Sequence, residues 1–316
     1  MGRYQVPNLY IFNFNYMKKQ VIYFLTILVA LISLIGLLLE EAAYMFDPNE
    51  PKIKEILEFK NKEFDVLFLG NSITQQGINP TIIDSSLNVN SYNMAVGGGN
   101  IFENEILLRH YIKSNKKPQK IIYGLFINES RWGENLRPTI IHGINKDIYQ
   151  TYEEYFENHN IPIDYSLQLY NKFSIFRHRS VIEHILKYII DSKNRNYTYL
   201  KGFVRSTIIN KMPEKLMPHT SGININALKS FDTFCNNEGI KVCYVELPNS
   251  EIFNKTTLKR STTIAEINKV ISDSLMSFNL NVDHYTIDDW SGLNHLNVKG
   301  AEKFTIALAN RLEHQK

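Results

Sequence analysis

Hydrophobic and polar positions change along the chain between a strand-like and a helix-like spacing. A short apolar run over residues 64–70 predicts a buried parallel strand, and residues 91–96, 120–127 and 241–247 are further predicted strands. Apolar residues at intervals of three and four predict helices over residues 103–112, 225–238, 262–278 and 298–313. Because strands and helices alternate, we predict an α/β fold with three layers, a sandwich around a mostly parallel sheet.

The helix predicted over residues 262–278 has the most regular apolar face. Its apolar positions are Ile264, Ile267, Ile271, Leu275 and Phe278. Thr263 and Glu266 have the spacing of a capping box, in which each side chain bonds the backbone N–H of the other residue. The pattern therefore predicts one long helix in this part of the chain.

Residues 131–225 interrupt the alternation. This stretch contains eight of the eighteen tyrosines, and its clearest helical pattern covers residues 174–191. We predict a mostly helical insertion in the α/β domain. Within it, Arg177 and Arg179 are candidate contacts for an anionic substrate, although a solvated basic turn is the simpler explanation.

Residues 21–39 form an uncharged apolar stretch that is long enough to cross a bilayer. As a helix it extends about 28 Å, close to the thickness of the hydrocarbon core. Two lysines precede it and two glutamates follow it, so the positive-inside rule places the N-terminus in the cytoplasm and the rest outside the cell membrane. A cleavable signal peptide and a buried core helix are the alternatives. The predicted organisation is an N-terminal extension (1–16), a transmembrane anchor (17–45) and an extracytoplasmic domain (46–316).

The charge distribution disfavours nucleic acid as a partner. Arg3, Lys18 and Lys19 account for the formal net charge of +3, and basic and acidic side chains are equal in number from residue 40 onward. A neutral domain lacks the basic surface that binds phosphate backbones.

The chain contains two cysteines, Cys235 and Cys243. They are either two buried thiols or a disulfide formed after export. Neither the CxxC nor the HExxH spacing occurs, and we predict no metal or other cofactor.

A glycine, an asparagine and a serine follow the first predicted strand. Gly70, Asn71 and Ser72 are predicted at the carboxyl end of a parallel strand, where open α/β sheets bind ligands. The Ser72 hydroxyl is a candidate nucleophile, and a turn that only caps the next helix is the structural alternative. His295, at the start of the last predicted helix, is the candidate general base for this hydroxyl.

Two further segments offer hydrogen-bond donors at strand ends. Three consecutive glycines, residues 97–99, follow the second predicted strand, and Asn128 follows the third. Donors at such positions stabilise the negative charge that develops on a carbonyl oxygen under nucleophilic attack.

Taken in order, four short motifs resemble the SGNH, or GDSL-like, hydrolase superfamily. They are GNSIT at 70–74, YNMAVGG at 92–98, INE at 127–129 and NHLNVKGA at 294–301, and the resemblance covers about half the chain. It implies that Ser72 is the nucleophile and His295 the base. It also implies an oxyanion hole formed by the Ser72 and Gly98 N–H groups and the Asn128 side chain. Asn71 replaces the aspartate of the GDS motif and is a candidate substrate contact.

The chain departs from the family pattern near the histidine. The DxxH motif of the family would place an aspartate at position 292, which is glycine here. That carboxylate ordinarily orients the imidazole and stabilises its protonated form. Asp288 or Asp289 is a candidate replacement, and a Ser–His dyad oriented by a backbone carbonyl is the other arrangement.

The membrane anchor, the insertion and the histidine motif together resemble the envelope-modifying branch of this superfamily, which includes alginate O-acetylation and DltD-like proteins. The resemblance implies a serine esterase or O-acyltransferase that acts on acyl groups, most simply acetyl, of envelope polysaccharide. Its expected partners are an acylated glycan or acyl donor and a membrane-bound O-acyltransferase. An inactive accessory protein that binds the glycan or the acyltransferase is the alternative, and a phosphodiester or lipid-headgroup hydrolase is a weaker one.

Overall fold

The computed structural model describes residues 14–46, 50–127, 146–158, 172, 198–207, 209, 213, 216–279 and 284–314. The helices are α1 (Phe14–Phe46), α2 (Glu50–Leu57), α3 (Ser72–Gly77), α4 (Pro80–Leu87), α5 (Ile101–Ser114), α6 (Lys146–Asn158), α7 (Ile225–Asn237), α8 (Glu251–Thr256), α9 (Arg260–Ile267) and α10 (Val298–Glu313). The strands are β1 (Val66–Gly70), β2 (Ser91–Asn93), β3 (Lys120–Leu125), β4 (Thr198–Leu200), β5 (Phe203–Arg205), β6 (His219–Thr220), β7 (Lys241–Glu246), β8 (Thr257–Leu258) and β9 (Met276–Ser277). A 3-10 turn, Ile287–Asp289, precedes α10.

A five-stranded parallel sheet forms the centre of the domain. Its strands lie in the order β2-β1-β3-β7-β9, and every neighbouring pair is parallel. Strands of a parallel sheet that is covered on both faces are continuous apolar runs, and every residue of β1 is buried. The predicted α/β class with a mostly parallel sheet is confirmed.

Alternate side chains of the strands enter two separate cores. On one face, side chains such as Leu67 and Tyr123 pack with buried residues of α2, α5, α6 and α7. On the other face, Phe68 and Ile122 pack with buried residues of α3, α4 and α10. The two-residue period of the strands therefore produces helices on both faces of the sheet. This arrangement brings the carboxyl ends of β1 and β3 side by side, with Gly70 paired to Gly124.

The long helix predicted over residues 262–278 is wrong beyond Ile267. Helix α9 ends there, and it begins after Lys259 rather than at the predicted capping box. Asp232 accepts a hydrogen bond from the Ser272 N–H (3.3 Å), and an asparagine side chain accepts one from the Leu275 N–H (2.9 Å). Because these side chains take backbone N–H groups away from a helix, the chain turns and contributes β9 to the sheet.

Much of the predicted insertion lies outside the described residues, including the helix predicted over 174–191 and both Arg177 and Arg179. Its described parts include α6, whose Tyr152 and Phe156 are buried in the core, and the antiparallel hairpin β4–β5.

Helix α1 contains an apolar segment, Met17–Leu39, with a mean hydropathy of 2.8 and nearly all of its side chains exposed. By length and composition this helix is able to cross a membrane.

Both cysteines are free thiols, so the disulfide alternative does not hold. Burial raises the pKa of Cys243 to about 11 and also raises the pKa of Cys235, which keeps both thiols protonated.

Candidate active site

The end of strand β1 places Ser72 at the start of helix α3. Gly70 has a φ of +142°, and an added Cβ would lie 2.7 Å from the backbone oxygen of Gly124 on the neighbouring strand. Only glycine fits this close approach. Asn71 then caps α3, because its side-chain oxygen accepts a hydrogen bond from the Ile73 N–H (3.0 Å). The strand therefore becomes a helix within two residues, and Ser72 lies at the carboxyl edge of the sheet.

His295 lies on a short hairpin that follows the 3-10 turn. A β-bridge closes this hairpin between Trp290 and Leu296. Ser250, which caps α8 beyond the end of β7, donates its N–H to the backbone oxygen of Leu293 (3.1 Å). The histidine is therefore held between the start of α10 and the loop after the fourth strand of the sheet.

These two elements bring the predicted nucleophile and base into direct contact. The Ser72 Oγ and the His295 Nε2 are 2.7 Å apart, which is a hydrogen-bond distance, although 223 residues separate them along the chain. Burial lowers the pKa of His295 below its ordinary value of 6.5, so the ring is neutral at pH 7 and able to accept a proton. The pair has the geometry and the protonation state of a nucleophile with its general base.

The second ring nitrogen of His295 faces the glycine at position 292. An added Cβ on Gly292 would lie 3.9 Å from His295 Nδ1. Nδ1 makes no hydrogen bond with the described residues. Position 292, where the DxxH motif would carry its aspartate, is therefore close enough for a carboxylate to orient the ring, and this chain has none there.

Neither candidate replacement for that aspartate bonds the histidine. Asp289 is fully buried, and its Oδ2 accepts hydrogen bonds from the Thr286 N–H and the Lys303 ammonium, both at 2.7 Å. Burial favours a higher pKa for Asp289, but the bonds from Lys303 and Thr286 outweigh it and lower the pKa. Asp288 is exposed, and its backbone oxygen accepts a bond from the Asn297 side chain. Both residues shape the turn before α10.

The glycine turn after β2 lies beside the end of β1. Val96 N–H donates to Gly70 O (3.2 Å), and Gly99 N–H donates back to Val96 O (2.9 Å). The N–H groups of Gly98 and Ser72 have no acceptor among the described residues. Unpaired backbone N–H groups of this kind are able to stabilise an oxyanion. The third predicted donor, Asn128, lies outside the described residues.

Asn104, which was not predicted from the sequence, supports the same strand end. Its buried side chain accepts a hydrogen bond from Gly70 N–H (3.0 Å) and donates to Asn100 O (2.7 Å). The available signal was an asparagine on the apolar side of α5, one turn from Ile101 and Leu108. A polar residue at such a position requires a buried hydrogen-bond partner.

The described part of the chain contains no cluster of three or more histidine, cysteine, aspartate or glutamate residues that could hold a metal ion. A cavity of about 550 Å³ between α5 and α7 is lined by residues that include Arg109 and Lys229, and it contains neither Ser72 nor His295.

Comparisons with known proteins do not identify a family. No family model matches this chain, and no curated protein matches it significantly. The functional assignment therefore depends on the geometry of the site.

Proposed function

We propose that this chain is a membrane-anchored serine esterase or O-acyltransferase of the SGNH type. Its substrates are acyl groups, most simply acetyl, of extracytoplasmic cell-envelope polysaccharide. The observation that carries the proposal is the 2.7 Å contact between Ser72 Oγ and a neutral His295 Nε2 at the carboxyl edge of a parallel sheet.

In the first half of the reaction, Ser72 Oγ attacks the carbonyl carbon of the acyl donor. His295 Nε2 takes the hydroxyl proton, and the carbonyl oxygen becomes an oxyanion beside the N–H groups of Ser72 and Gly98. The bond to the leaving alkoxide then breaks. The imidazolium gives its proton to the leaving oxygen, which leaves an acyl group on Ser72 and a neutral His295.

The second half repeats these steps with a different nucleophile. His295 Nε2 takes a proton from water or from a sugar hydroxyl, and the new oxygen attacks the acyl-enzyme carbonyl. Collapse of the oxyanion returns the proton to Ser72 Oγ. Attack by water makes the protein an esterase and attack by a sugar makes it an acyltransferase, so water exclusion and acceptor position decide between the two.

The apolar helix α1 supports a location at the membrane. Its segment Met17–Leu39 extends roughly 35 Å as a helix, and Lys18 lies beside Lys19 at its N-terminal end. With the positive end in the cytoplasm, the Ser72 site lies outside the membrane, where envelope polysaccharide is modified.

The proposal is tested with the full chain purified in detergent. A fluorophosphonate probe, which esterifies activated serines, should label the wild-type chain, and 4-nitrophenyl acetate should be hydrolysed. Ser72→Ala and His295→Ala should each lower turnover by about 10³-fold or more. The matched control is Ser86→Ala, which removes an exposed serine on α4 and should retain wild-type rates.

Two outcomes would overturn the enzymatic proposal. One is a folded wild-type chain that neither takes the probe nor turns over the ester. The other is labelling that persists in Ser72→Ala. If the chain is active, acetate release from acetylated polysaccharide, and acetyl transfer to an unacetylated glycan followed by mass spectrometry, distinguish the esterase from the transferase.

The second candidate function is an inactive accessory protein that binds acylated glycan or a membrane-bound O-acyltransferase. The observation that favours it is the unpaired His295 Nδ1 beside Gly292, since a histidine without an orienting carboxylate is a weak base for a serine. This function predicts binding of acetylated glycan by titration calorimetry with equal affinity in wild type and Ser72→Ala, and no probe labelling in either chain.

A further inference from the structure

Lys52, on the short helix that follows α1, is a buried lysine without an ion-pair partner among the described residues. Its side chain is 1% exposed. The Nζ donates hydrogen bonds to the backbone oxygens of Ala95 and Gly202, the second at 2.7 Å. Glu55, an acid on the same helix, accepts a hydrogen bond from the Tyr92 hydroxyl (2.8 Å) instead. Lysine is almost never fully buried unless it is paired, so this position needs an explanation.

The chemistry of the amine fits its two acceptors. Burial lowers the pKa of Lys52 well below 10.5, against a weaker raising effect of the Glu55 charge. A neutral amine has two N–H groups, and the two backbone oxygens accept both of them. An ammonium would carry a third N–H without an acceptor among the described residues. Lys52 therefore serves as a double hydrogen-bond donor inside the domain.

Both acceptors belong to segments that shape the candidate site. Ala95 is followed by Val96, whose N–H donates to Gly70 O at the end of β1, and then by the three glycines of the turn. Gly202 lies in the turn of the β4–β5 hairpin, where an added Cβ would lie 2.1 Å from Asn93 O. The neighbouring Lys201 O accepts a hydrogen bond from Asn93 N–H (2.9 Å). The Lys52 side chain on α2 is therefore hydrogen-bonded both to the hairpin and to the segment that leads into the glycine turn.

Helix α2 follows the apolar helix closely. Only three residues separate Phe46, the last residue of α1, from Glu50, the first of α2. Lys52 comes thirteen residues after Leu39. With the rise of a helix up to Phe46 and an extended chain beyond it, Lys52 lies at most roughly 32 Å from the end of the apolar segment.

We propose that Lys52 is a positioning residue of the Ser72 site: it holds Ala95 O, and through the glycine turn it places the Gly98 N–H where the oxyanion forms. The segment next to the membrane anchor thus completes the oxyanion hole. This inference rests on the proposed esterase or acyltransferase function. It assigns to α2 a role in catalysis beyond linking the anchor to the domain.

The test compares Lys52→Met with the matched control Lys54→Met, which removes an exposed lysine from the same helix. Methionine preserves most of the length of the unbranched side chain and removes both donors. With 4-nitrophenyl acetate and the full chain in detergent, Lys52→Met should lower kcat about 10- to 10³-fold and leave KM within about threefold. Lys54→Met should match wild type. A loss of folded protein alone would lower both activity and yield, but it would not lower kcat per labelled site.

A conservative variant and an exchange measurement make the test independent of activity. Lys52→Gln supplies two N–H donors on a shorter side chain and should recover part of the lost kcat. Amide hydrogen exchange over residues 94–100 should be at least about tenfold faster in Lys52→Met than in wild type, because the hydrogen bond from Lys52 to Ala95 O is lost. The exchange result stands even if the wild-type chain proves inactive, so failure of the proposed function and failure of this inference are distinguishable.

Three results would overturn the inference. The first is a folded Lys52→Met chain with wild-type kcat. The second is unchanged exchange over residues 94–100. The third is failure of both Lys52 variants to fold while Lys54→Met folds, which would make Lys52 a requirement for folding rather than a residue that positions the turn.

Discussion

Gly292→Asp should convert the unsupported histidine into a member of a triad and raise activity. The added Cβ lies 3.9 Å from His295 Nδ1, and Gly292 does not have the positive φ that only glycine adopts readily. A carboxylate oxygen is about 2.4 Å from its Cβ, so the side chain is long enough to bring it to a hydrogen-bond distance of about 2.8 Å from Nδ1. We therefore expect the substitution to build the missing contact.

The expected gain follows from the charge on the ring during the reaction. Proton transfer from Ser72 makes an imidazolium, and a carboxylate about 4 Å away attracts it by up to about 4 kcal/mol at an effective dielectric constant of about 20. Desolvation of the new carboxylate offsets part of this attraction. A remaining 1.4 to 2.8 kcal/mol corresponds to about a 10- to 100-fold increase in kcat/KM.

The pH profile provides an independent measurement. His295 must be neutral to accept the proton, so activity is lost as the pH falls through its pKa. In the wild type this loss occurs below pH 6.5, since burial lowers the pKa. A carboxylate at position 292 favours the charged ring and raises the pKa, so the acidic limb should move to higher pH in Gly292→Asp.

The assay is hydrolysis of 4-nitrophenyl acetate and the rate of fluorophosphonate labelling from pH 5 to pH 9. Gly292→Asn is the matched control, because it has nearly the same shape without the charge and should leave the acidic limb in place. A folded Gly292→Asp chain whose kcat/KM and acidic limb both equal those of the wild type would refute the expected role of the carboxylate.

Three further substitutions test the scaffold of the site, each by urea denaturation of the full chain and by Ser72 labelling. Gly70→Ala should lower the free energy of unfolding by about 2 to 4 kcal/mol, because the added Cβ meets a backbone oxygen and the φ is strained. Gly239→Ala has open space around its Cβ and should lower the free energy of unfolding by about 1 kcal/mol. Equal losses in the two variants would contradict this account. Lys303→Met should cost about 1 to 3 kcal/mol at pH 7 by removing a charged donor from the Asp289 carboxylate. Because the folded-state pKa of Asp289 is lowered, the loss of unfolding free energy in Lys303→Met should become smaller as the pH falls below about 4. A loss that is independent of pH would argue against the ion pair. Asn104→Leu leaves the Gly70 N–H unpaired, so it should lower the free energy of unfolding by about 1 to 3 kcal/mol and slow the labelling of Ser72. Unchanged stability would show that this hydrogen bond is dispensable.

The sequence predicted the strands of the sheet better than the last part of the domain. Strand β1 is a continuous apolar run, and β3 and β7 each contain one, which is the pattern that burial on both faces of a parallel sheet requires. The segment after Ile267 has apolar residues at helical spacing, yet the structure uses them in a turn and an edge strand. This segment forms hydrogen bonds with Asp232, which lies on a helix distant in sequence, so the local sequence pattern does not predict them.

The candidate site was predictable to a similar degree. Gly70 and Ser72 are marked by their place after an apolar strand, and His295 by its place before the last helix. The motif resemblance marks position 292 as the place of the missing aspartate, and the structure puts that position beside Nδ1. Lys52 was not predicted, because a lysine in a polar segment has the same local pattern whether it is solvated or buried.

The sequence by itself determined the features that depend on neighbours along the chain. The apolar length of α1, the buried character of β1 and the cap that Asn71 provides for α3 all follow from spacing and from local hydrogen bonding. Only the tertiary structure decided which distant groups meet. The contact between Ser72 and His295 depends on the parallel order of strands that are far apart in the chain, and so does the reach of Lys52 to the glycine turn. Contacts of this kind arise from packing two cores against one sheet, and the local spacing of residues does not encode that packing.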